Sequence, residues 1–597
     1  MGGSFNYPDE NLLTNYLRLV SLLILYGKDF LIFDRLLDDI GKYHHILPYK
    51  VQSAYIPMQD DTLIAVDIIT EKGSIVERPT FLQLGHRWHE KDYIKQLNPL
   101  VQEGYNIAIV DVRGTGASAG IRSLLWPRTE LEDLNGIIQW ITQQPWSDGK
   151  IITYGSDYAA TTSEFSALIN NEAIKANILF GGAYDLYSEA IFPGGIFLER
   201  AVEAWSSKNR DYELQKIKIV QDPLYHLGIS DIKHQHQSNT NIYDSFFSIQ
   251  FSDEKINSES NVDISSISVS HYSDEICRNR SPMFSVGSWY NGKTASSVIN
   301  RFLNYSKSFI GIIGPWDNYL RQVKNSKSQS HSLPYKQLLL LEYVRFAKKS
   351  ITDPTSIPRL LYYYTLGEGK WKVTETWPLP TQQMMTLYFN HKHMLTIDPP
   401  ELKGLKSEYR VDFKSTTGAN SRWHTPFDNP VNYSNRGKQD KKCIVFTTPT
   451  FKDSFEITGH PHVIIQLSSM HEDGTIFVYL ELINKRKVYY LTEGQLRLIH
   501  WKSTNKHSYK TPTIYRSFTK SESELLKPNL IYDIRIPLEP ISVKIPENSK
   551  IRIAIAGADS NNFKIYTEAT KPHPIWNIYH NSEFPSIIQL PVIKSLT

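Results

Sequence analysis

Residues 151–160 read IITYGSDYAA, and the predicted architecture of the chain is built around this segment. Its first four residues form a short apolar run, which is typical of a strand buried on both faces of a parallel sheet. A helical pattern follows directly, so the chain must reverse within a few residues. The sequence therefore predicts a strand, a very sharp turn and a helix.

Sterics decide which residue stands at the apex of this turn. A strand-to-helix turn of this kind is strained, and the positions two before and two after the apex must be small. With Asp157 at the apex, those positions hold Gly155 and Ala159. With Ser156 at the apex, both would hold tyrosine, and the rings would clash. We therefore place an aspartate at the apex.

Strands and helices alternate on both sides of this segment. Further continuous apolar runs predict buried strands, and apolar residues at helical spacing predict amphipathic helices between them. This alternation is typical of an α/β protein with a parallel sheet. The predicted strands are 80–84, 105–110, 283–286 and 309–313, and the predicted helices are 94–104 and 129–143.

The rest of the chain predicts three additions to this core. Residues 1–48 show helical periodicity and are predicted as an N-terminal helical extension. Residues 184–274 are polar and interrupt the pattern, as expected of an inserted helical cap, so that the core comprises 49–183 and 275–355. Short alternating strands over 356–597 predict a jelly-roll β-sandwich. The strands expected there are 360–364, 385–389, 443–447, 462–467, 476–482 and 551–555.

Composition argues against several functional classes. Lys and Arg total 65 against 62 Asp and Glu, so we expect neither nucleic acid nor a membrane as partner. Cys277 and Cys443 offer no disulfide framework and no metal-ligand spacing, which favours a reducing, cytoplasmic setting. No secretory signal or nucleotide-binding motif is found. We therefore expect a small-molecule ligand without metal or cofactor, in a protein that could form homo-oligomers.

Several motifs, in order, resemble those of one hydrolase family. DVRGTGAS at 111–118 resembles the family segment DxRGxGxS, GSWYN at 287–291 resembles GGWYD, and GPWDN at 314–318 resembles GPWxH. Over most of residues 50–597 the chain is similar to the cocaine esterase and X-Pro dipeptidyl-peptidase (CocE/NonD-like) family. The resemblance implies an α/β-hydrolase fold with a helical cap and a C-terminal jelly-roll.

The residues at the family's catalytic positions are substituted here. The resemblance places Asp157 where the family has serine, Asn318 where it has histidine and Asn291 where it has aspartate. Asparagine cannot exchange protons near neutral pH, and loss of one triad member already costs several orders of magnitude in rate. We therefore expect no ordinary serine esterase or peptidase activity.

Other residues are candidates for the pocket or for a replacement base. Trp88 matches the family's oxyanion tyrosine, and His86 and His89 are the nearby histidines that could replace the missing base. The residues expected to contact substrate are Trp88, His86, Tyr158, Trp289 and Trp316.

Three functional hypotheses remain for Asp157. In the first, the chain is a repurposed enzyme in which Asp157 is a general acid or base in an elimination, cyclisation or condensation, with Asn291 and Asn318 as polar supports. In the second, Asp157 is a nucleophile, which still requires a base to activate water. In the third, the chain is an inactive pseudoenzyme that binds a ligand or serves as a scaffold. The first is the hypothesis we favour.

Overall fold

The computed structural model describes most of the chain beyond its N-terminal segment. The predicted N-terminal helices lie outside the described residues. The described residues are 48–85, 91–256, 261–305, 308–321, 323, 335–427, 429–433, 436–566 and 572–593.

A ten-stranded sheet forms the first domain. Its strands β3 to β9 run parallel to one another, and β1, β2 and β10 pair antiparallel at its edges. The spatial order is β1-β2-β4-β3-β5-β6-β7-β8-β9-β10. The strands are β1 (Tyr49–Pro57), β2 (Leu63–Glu71), β3 (Arg78–Gly85), β4 (Asn106–Asp111), β5 (Ser147–Ser156), β6 (Ile174–Phe180), β7 (Met283–Ser288), β8 (Phe309–Gly314), β9 (Arg359–Thr365) and β10 (Lys370–Thr374).

Helices cover both faces of this sheet, which explains its continuous apolar strands. In β4, Ile107 and Ile109 face a core that includes residues of α1 and α9, while Ala108 and Val110 face a core that includes residues of α2. The described α-helices are α1 (Lys91–Gln102), α2 (Arg128–Thr142), α3 (Tyr158–Phe165), α4 (Glu199–Leu214), α5 (Ile229–His236), α6 (Ile242–Phe247), α7 (Ser273–Arg278), α8 (Thr294–Asn304) and α9 (Tyr335–Thr352).

The segment between β6 and β7 carries the helices that enclose the site. Helices α4 to α7 and the helical turn Leu186–Ile191 lie in this segment. A buried ion pair joins α4 to the loop after β4: the Arg122 guanidinium lies 2.6 Å from a Glu213 carboxylate oxygen. This pair fixes α4 above the carboxyl ends of the parallel strands.

The C-terminal domain is built from strands. Its described strands form one network of mostly antiparallel pairs, in which β15 pairs with both β20 and β23. Their bounds are β11 (Gln382–Asn390), β12 (Met394–Thr396), β13 (Lys406–Arg410), β14 (Ile444–Thr447), β15 (Phe455–Gly459), β16 (His462–Ser469), β17 (Thr475–Asn484), β18 (Lys487–Arg497), β19 (Tyr532–Pro537), β20 (Ile541–Ile545), β21 (Lys550–Ala556), β22 (Ile575–Tyr579) and β23 (Ile587–Ile593).

One predicted strand belongs to the other domain. Residues 360–364 were expected in the β-sandwich, but they lie in β9, which pairs in parallel with β8. The prediction is wrong because β9 does not alternate: Leu361 to Thr365 are all buried, as in a central strand of an α/β sheet.

Within the described ranges, no helix combines the length and the apolar character that crossing a membrane requires.

Candidate functional site

The turn between β5 and α3 has Asp157 at its apex. Asp157 has φ 51° and ψ −110°, a backbone conformation that residues other than glycine rarely adopt. A Cβ added to Gly155 would lie 2.4 Å from the Cβ of Ala159, so a side chain there could not fit. The Asp157 N–H donates to the Phe180 carbonyl at 2.9 Å, which ties the strained apex to the end of β6.

Three residues distant in sequence form a hydrogen-bonded row at this apex. Asn291 follows β7 and donates its side-chain N–H to the Asn318 Oδ1 at 3.0 Å. Asn318 follows β8 and donates to the Asp157 Oδ2 at 3.4 Å. The carboxyl ends of parallel strands share one edge of the sheet, which is why the three meet. Asp157, Asn318 and Asn291 are hydrogen-bonded in the same order as the nucleophile, base and acid of a catalytic triad.

Burial perturbs the Asp157 carboxyl. Its side chain borders a cavity from which water can reach it, yet protein surrounds the cavity and displaces bulk solvent. Burial raises the pKa of Asp157 to about 6, against the opposing effects of the Asn318 hydrogen bond and the positive charge of Lys208. Near neutral pH this carboxyl can therefore both accept and return a proton.

The cavity beside Asp157 has a volume of about 240 Å³. Its walls come from the turn between β5 and α3, the segment 181–191, helix α4, the loop 291–294 and two residues of the C-terminal domain. Apolar side chains dominate the wall formed by the β6–β7 segment: Leu186, Ile191, Leu198, Val202 and Trp205. Such a cavity suits a small, partly apolar organic molecule.

A second carboxylate, that of Glu189, lines the cavity and receives more hydrogen bonds than Asp157 does. Glu189 is buried, and four donors point at its oxygens: the Tyr184 N–H at 2.7 Å, the Asp185 N–H at 3.3 Å, the Ser297 hydroxyl at 2.5 Å and the Asn300 amide at 2.8 Å. Burial raises the pKa of Glu189, and the hydrogen bond from Ser297 opposes that shift. This carboxyl joins the helical turn 186–191 to α8.

Three cationic side chains also line the cavity. Lys208 comes from α4, Lys293 follows Gly292, and Arg422 comes from the C-terminal domain. The fully buried Arg422 donates from Nε to the Gly292 carbonyl at 2.8 Å, and the Gly292 N–H donates to the Arg422 carbonyl at 2.9 Å. The two domains therefore build this wall together.

Tyr158, predicted to contact substrate, lines the cavity and also anchors the turn between β5 and α3. Its ring stacks on Trp126 with 4.6 Å between centroids, and its hydroxyl donates to Glu130 at 2.5 Å. Burial raises the pKa of Glu130 to about 7, although the Tyr158 hydrogen bond opposes this.

The two other described pocket candidates are packing residues. Trp289 is buried and donates its indole N–H to the Tyr364 carbonyl at 2.7 Å. Trp316 is buried beside Trp371, with 5.7 Å between ring centroids. Each lies in a short loop just after a strand, where the polar residue two positions later turns toward the site instead. The structure therefore assigns Trp289 and Trp316 to the core and not to the described cavity wall.

His86, Trp88 and His89 lie outside the described residues, so the roles expected of them remain predictions. None of the described cavity-lining residues is a histidine. Nor do three His, Cys, Asp or Glu side chains converge as a metal ion would require anywhere in the part of the chain that the structure describes.

Sequence reasoning missed most of the cavity wall, including its charged residues Glu189, Lys208, Lys293 and Arg422. Glu189 lies in the otherwise apolar stretch LYSEAIF, and a lone acid in such a stretch is a signal that could have found it. Lys208 and Arg422 carry no comparable signal. Arg422 in particular lies in the other domain, and only the packing of the domains brings it to the site.

Two family models match the chain. Residues 54–318 match the X-Pro dipeptidyl-peptidase (S15 family), and residues 354–574 match the X-Pro dipeptidyl-peptidase C-terminal non-catalytic domain. The matches follow one another along the chain and together span both domains.

Individual relatives agree with these matches. A Mycobacterium bovis protein provisionally named a serine esterase is 28% identical over 93% of this chain and 98% of its own length. The cocaine esterase of Rhodococcus sp. is 28% identical over 27% of this chain and 28% of its own length. A CocE/NonD family hydrolase from Staphylococcus aureus superposes with a TM-score of 0.68 at 16% identity, covering 91% of this chain and 94% of that one.

Proposed function

Because the chain belongs to the cocaine esterase and X-Pro dipeptidyl-peptidase family of α/β-hydrolases, we propose that it uses the family's cavity for a different chemistry. In this proposal Asp157 is a general acid and base acting on a small organic molecule, in a reaction that is not hydrolysis. Elimination, cyclisation and condensation are the reaction types that such a residue serves.

One observation supports this proposal above the others. Asp157 stands at the strained apex, faces a cavity of about 240 Å³, and receives from Asn318 a long hydrogen bond of 3.4 Å. A carboxyl at a cavity wall that is held by few hydrogen bonds and can be reached from the cavity is placed to take a proton from a molecule bound there. Burial raises the pKa of Asp157 to about 6, so the carboxyl is ionised at neutral pH yet can be protonated during a reaction.

The two asparagines would orient this carboxyl. Asn318 holds one oxygen of Asp157, and Asn291 holds the Asn318 amide in the orientation that donates. A proton would pass from substrate to the carboxylate and return from it to a leaving group or to the product. Neither amide needs to change its protonation state in this scheme.

The other two hypotheses have less support. An aspartate nucleophile needs a base to activate the water that cleaves its ester intermediate. No described cavity-lining residue is a histidine, and Glu189 already receives four hydrogen bonds. A pseudoenzyme that serves only as a scaffold gives no reason for a cavity of about 240 Å³ beside Asp157, whereas one that binds a ligand would keep the cavity and differ from our proposal only in lacking proton transfer by Asp157.

The test uses a chromogenic probe of carboxylate base strength. In 5-nitrobenzisoxazole a base removes the C3 proton, the N–O bond breaks, and a coloured phenolate forms. We expect the full chain to accelerate this reaction, with a rate that rises through about pH 6 as Asp157 ionises. Asp157→Asn should lose at least about a hundredfold in rate, the usual contribution of a positioned general base.

The matched control is Asp398→Asn, which removes an exposed carboxylate outside the described cavity wall. It should leave the rate unchanged. Equal rates for wild type and Asp157→Asn would refute the general-base role. A second assay measures hydrolysis of a panel of nitrophenyl esters. Hydrolysis that Ser156→Ala abolishes would mean that Ser156 and not Asp157 is the reactive residue.

A further inference from the structure

We propose that Gly181 determines which molecules can reach Asp157, because the space left by its missing side chain lies beside the reactive oxygen of that carboxyl. This inference rests on the proposed function, since it names a specificity-determining residue of the same site. It makes Oδ1 the Asp157 oxygen that takes the proton, with the reacting group of the substrate bound against the Gly181 backbone.

The two oxygens of Asp157 differ in what they contact. Oδ2 accepts the hydrogen bond from the Asn318 amide at 3.4 Å. Among the residues that the structure describes, none donates a hydrogen bond to Oδ1. A carboxylate oxygen whose lone pairs are not engaged by the protein can accept a proton from a bound molecule without first losing a hydrogen bond. Oδ1 is therefore the oxygen placed to react.

Gly181 lies directly beside Oδ1. A Cβ added to Gly181 would be 3.2 Å from Asp157 Oδ1, 3.5 Å from Asn291 Nδ2 and 3.6 Å from Asn318 Oδ1. One added methyl group would therefore touch all three side chains of the hydrogen-bonded row. Because Gly181 and Asp157 both line the cavity, that methyl group would also cover one side of Oδ1 and narrow the approach of a bound molecule.

The sheet holds the Gly181 backbone in this position. The carbonyl of the preceding residue, Phe180, accepts the Asp157 N–H at 2.9 Å, and the Gly181 N–H donates to the Val286 carbonyl at 3.0 Å. These hydrogen bonds tie the end of β6 to the apex on one side and to β7 on the other. A side chain added at Gly181 could therefore not turn away from Oδ1 without breaking the pairing of β6.

The next residue, Gly182, is small for a different reason. A Cβ there would lie 3.0 Å from the Ala160 Cβ and 3.5 Å from the Thr161 backbone nitrogen, so Gly182 allows α3 to pack against the end of β6. No contact with α3 is among the nearest contacts of a Cβ at Gly181, apart from the Asp157 side chain that precedes that helix. Helix packing therefore does not explain the missing side chain of Gly181.

Backbone conformation is the competing explanation, and a matched glycine controls for it. Gly181 has φ +74°, a value that glycine adopts at little cost. Gly73, in the turn between β2 and β3, has φ +82°, and a Cβ added there would meet no heavy atom within 4 Å. Gly73→Ala therefore carries the backbone cost alone, whereas Gly181→Ala carries that cost and also fills the space beside Oδ1.

The test measures binding and elimination separately, on the full chain. Calorimetric titration uses 5-nitroindazole, which has the bicyclic shape of 5-nitrobenzisoxazole but no N–O bond to break. The elimination assay gives kcat/KM for 5-nitrobenzisoxazole itself. We expect Gly181→Ala to weaken 5-nitroindazole binding severalfold and to lower kcat/KM at least about tenfold, the scale for one extra methyl group in a small cavity. Gly73→Ala should leave both values unchanged.

Gly181→Asn keeps the test decisive if Gly181→Ala fails to fold, because asparagine adopts positive φ more readily than most residues. Its larger side chain should weaken binding further than alanine does, with Gly73→Asn as its control. Unchanged affinity and rate in the Gly181 variants would overturn the inference. A lost rate with unchanged affinity would overturn it too, since the added side chain would then act by displacing Asn318 and not by filling the space for substrate.

The two assays also separate this inference from the proposed function. If Asp157→Asn keeps the wild-type rate while Gly181→Ala weakens 5-nitroindazole binding, the general-base role fails and the binding space beside Gly181 stands. If Asp157→Asn loses the rate while Gly181→Ala retains both rate and affinity, the role of Gly181 fails and the proposed function stands.

Discussion

Asp157 and Glu189 line one cavity, and both have pKa values raised by burial, but they are held in opposite ways. Glu189 receives four hydrogen bonds, the longest of them 3.3 Å. Asp157 receives one from a described side chain, at 3.4 Å, on a backbone with positive φ. One carboxyl ties the cavity wall together, whereas the other is strained and lightly held.

The contrast shows that burial alone does not identify a reactive acid. The donors around Glu189 stabilise its charged form and so oppose the rise in pKa that burial causes. Asp157 faces a cavity and receives much less of this stabilisation from the described side chains. The number of donors at each oxygen therefore separates a structural acid from a candidate catalytic one within the same cavity.

The largest expected effect is on stability, from Glu189→Ala. The change would leave the Tyr184 N–H, the Ser297 hydroxyl and the Asn300 amide without their buried acceptor. We expect a loss of roughly 3 kcal/mol in the free energy of unfolding, the scale for stranding several buried polar groups. Chemical denaturation monitored by tryptophan fluorescence would measure it.

Two variants control that measurement. Glu189→Gln keeps one carbonyl acceptor and should recover part of the loss, whereas Asp157→Ala should cost far less than Glu189→Ala. A loss for Asp157→Ala as great as for Glu189→Ala would abolish the distinction between the two acids.

A smaller effect is expected in the pH dependence of stability. Folding raises the pKa of Asp157 from 3.8 to about 6, so the folded state binds the extra proton. Its contribution to stability is full below about pH 4 and is lost as the pH rises through 6. Asp157→Asn lacks this loss, so its melting temperature should exceed that of wild type above about pH 6, with the difference shrinking toward about pH 4. Thermal melts across this range would show it, and parallel curves would contradict the raised pKa.

The smallest effect concerns Asn318→Ala. Its amide hydrogen bond lowers the pKa of Asp157, so removing it should move that pKa above about 6. Titration of the Asp157 carboxyl by carbon-13 NMR would measure the change. Asn291→Ala removes the hydrogen bond to Asn318, which lies one step further from Asp157, and should shift the value less. An unchanged Asp157 pKa in both variants would mean that the hydrogen bonds linking Asn291, Asn318 and Asp157 do not form in solution.

Much of the fold could be predicted because local patterns reflect local sterics. Gly155 and Ala159 had to be small for the turn to form, and the structure confirms their close approach. The strand 360–364 was assigned to the wrong domain because a short apolar strand does not reveal which sheet it joins. That choice depends on burial of both faces, which long-range packing decides.

The cavity was harder to predict than the apex. Trp289 and Trp316 were expected to contact substrate because they adjoin the site in sequence, yet their side chains point into packed cores. Arg422 lies more than a hundred residues from Asn291 and was not foreseen. The sequence distance between residues therefore gave little guidance to what lines the cavity.

The alternation of strands and helices, the tight turn with Asp157 at its apex and the family of the chain can all be read from the amino-acid sequence. These follow from short-range rules, since side-chain size and apolar spacing act over a few residues. Only the tertiary structure decided that Glu189 is saturated with donors, that Asp157 is not, and that a guanidinium of the C-terminal domain completes the wall. Those properties depend on which groups share a small volume from which bulk water is displaced, and no local pattern specifies that.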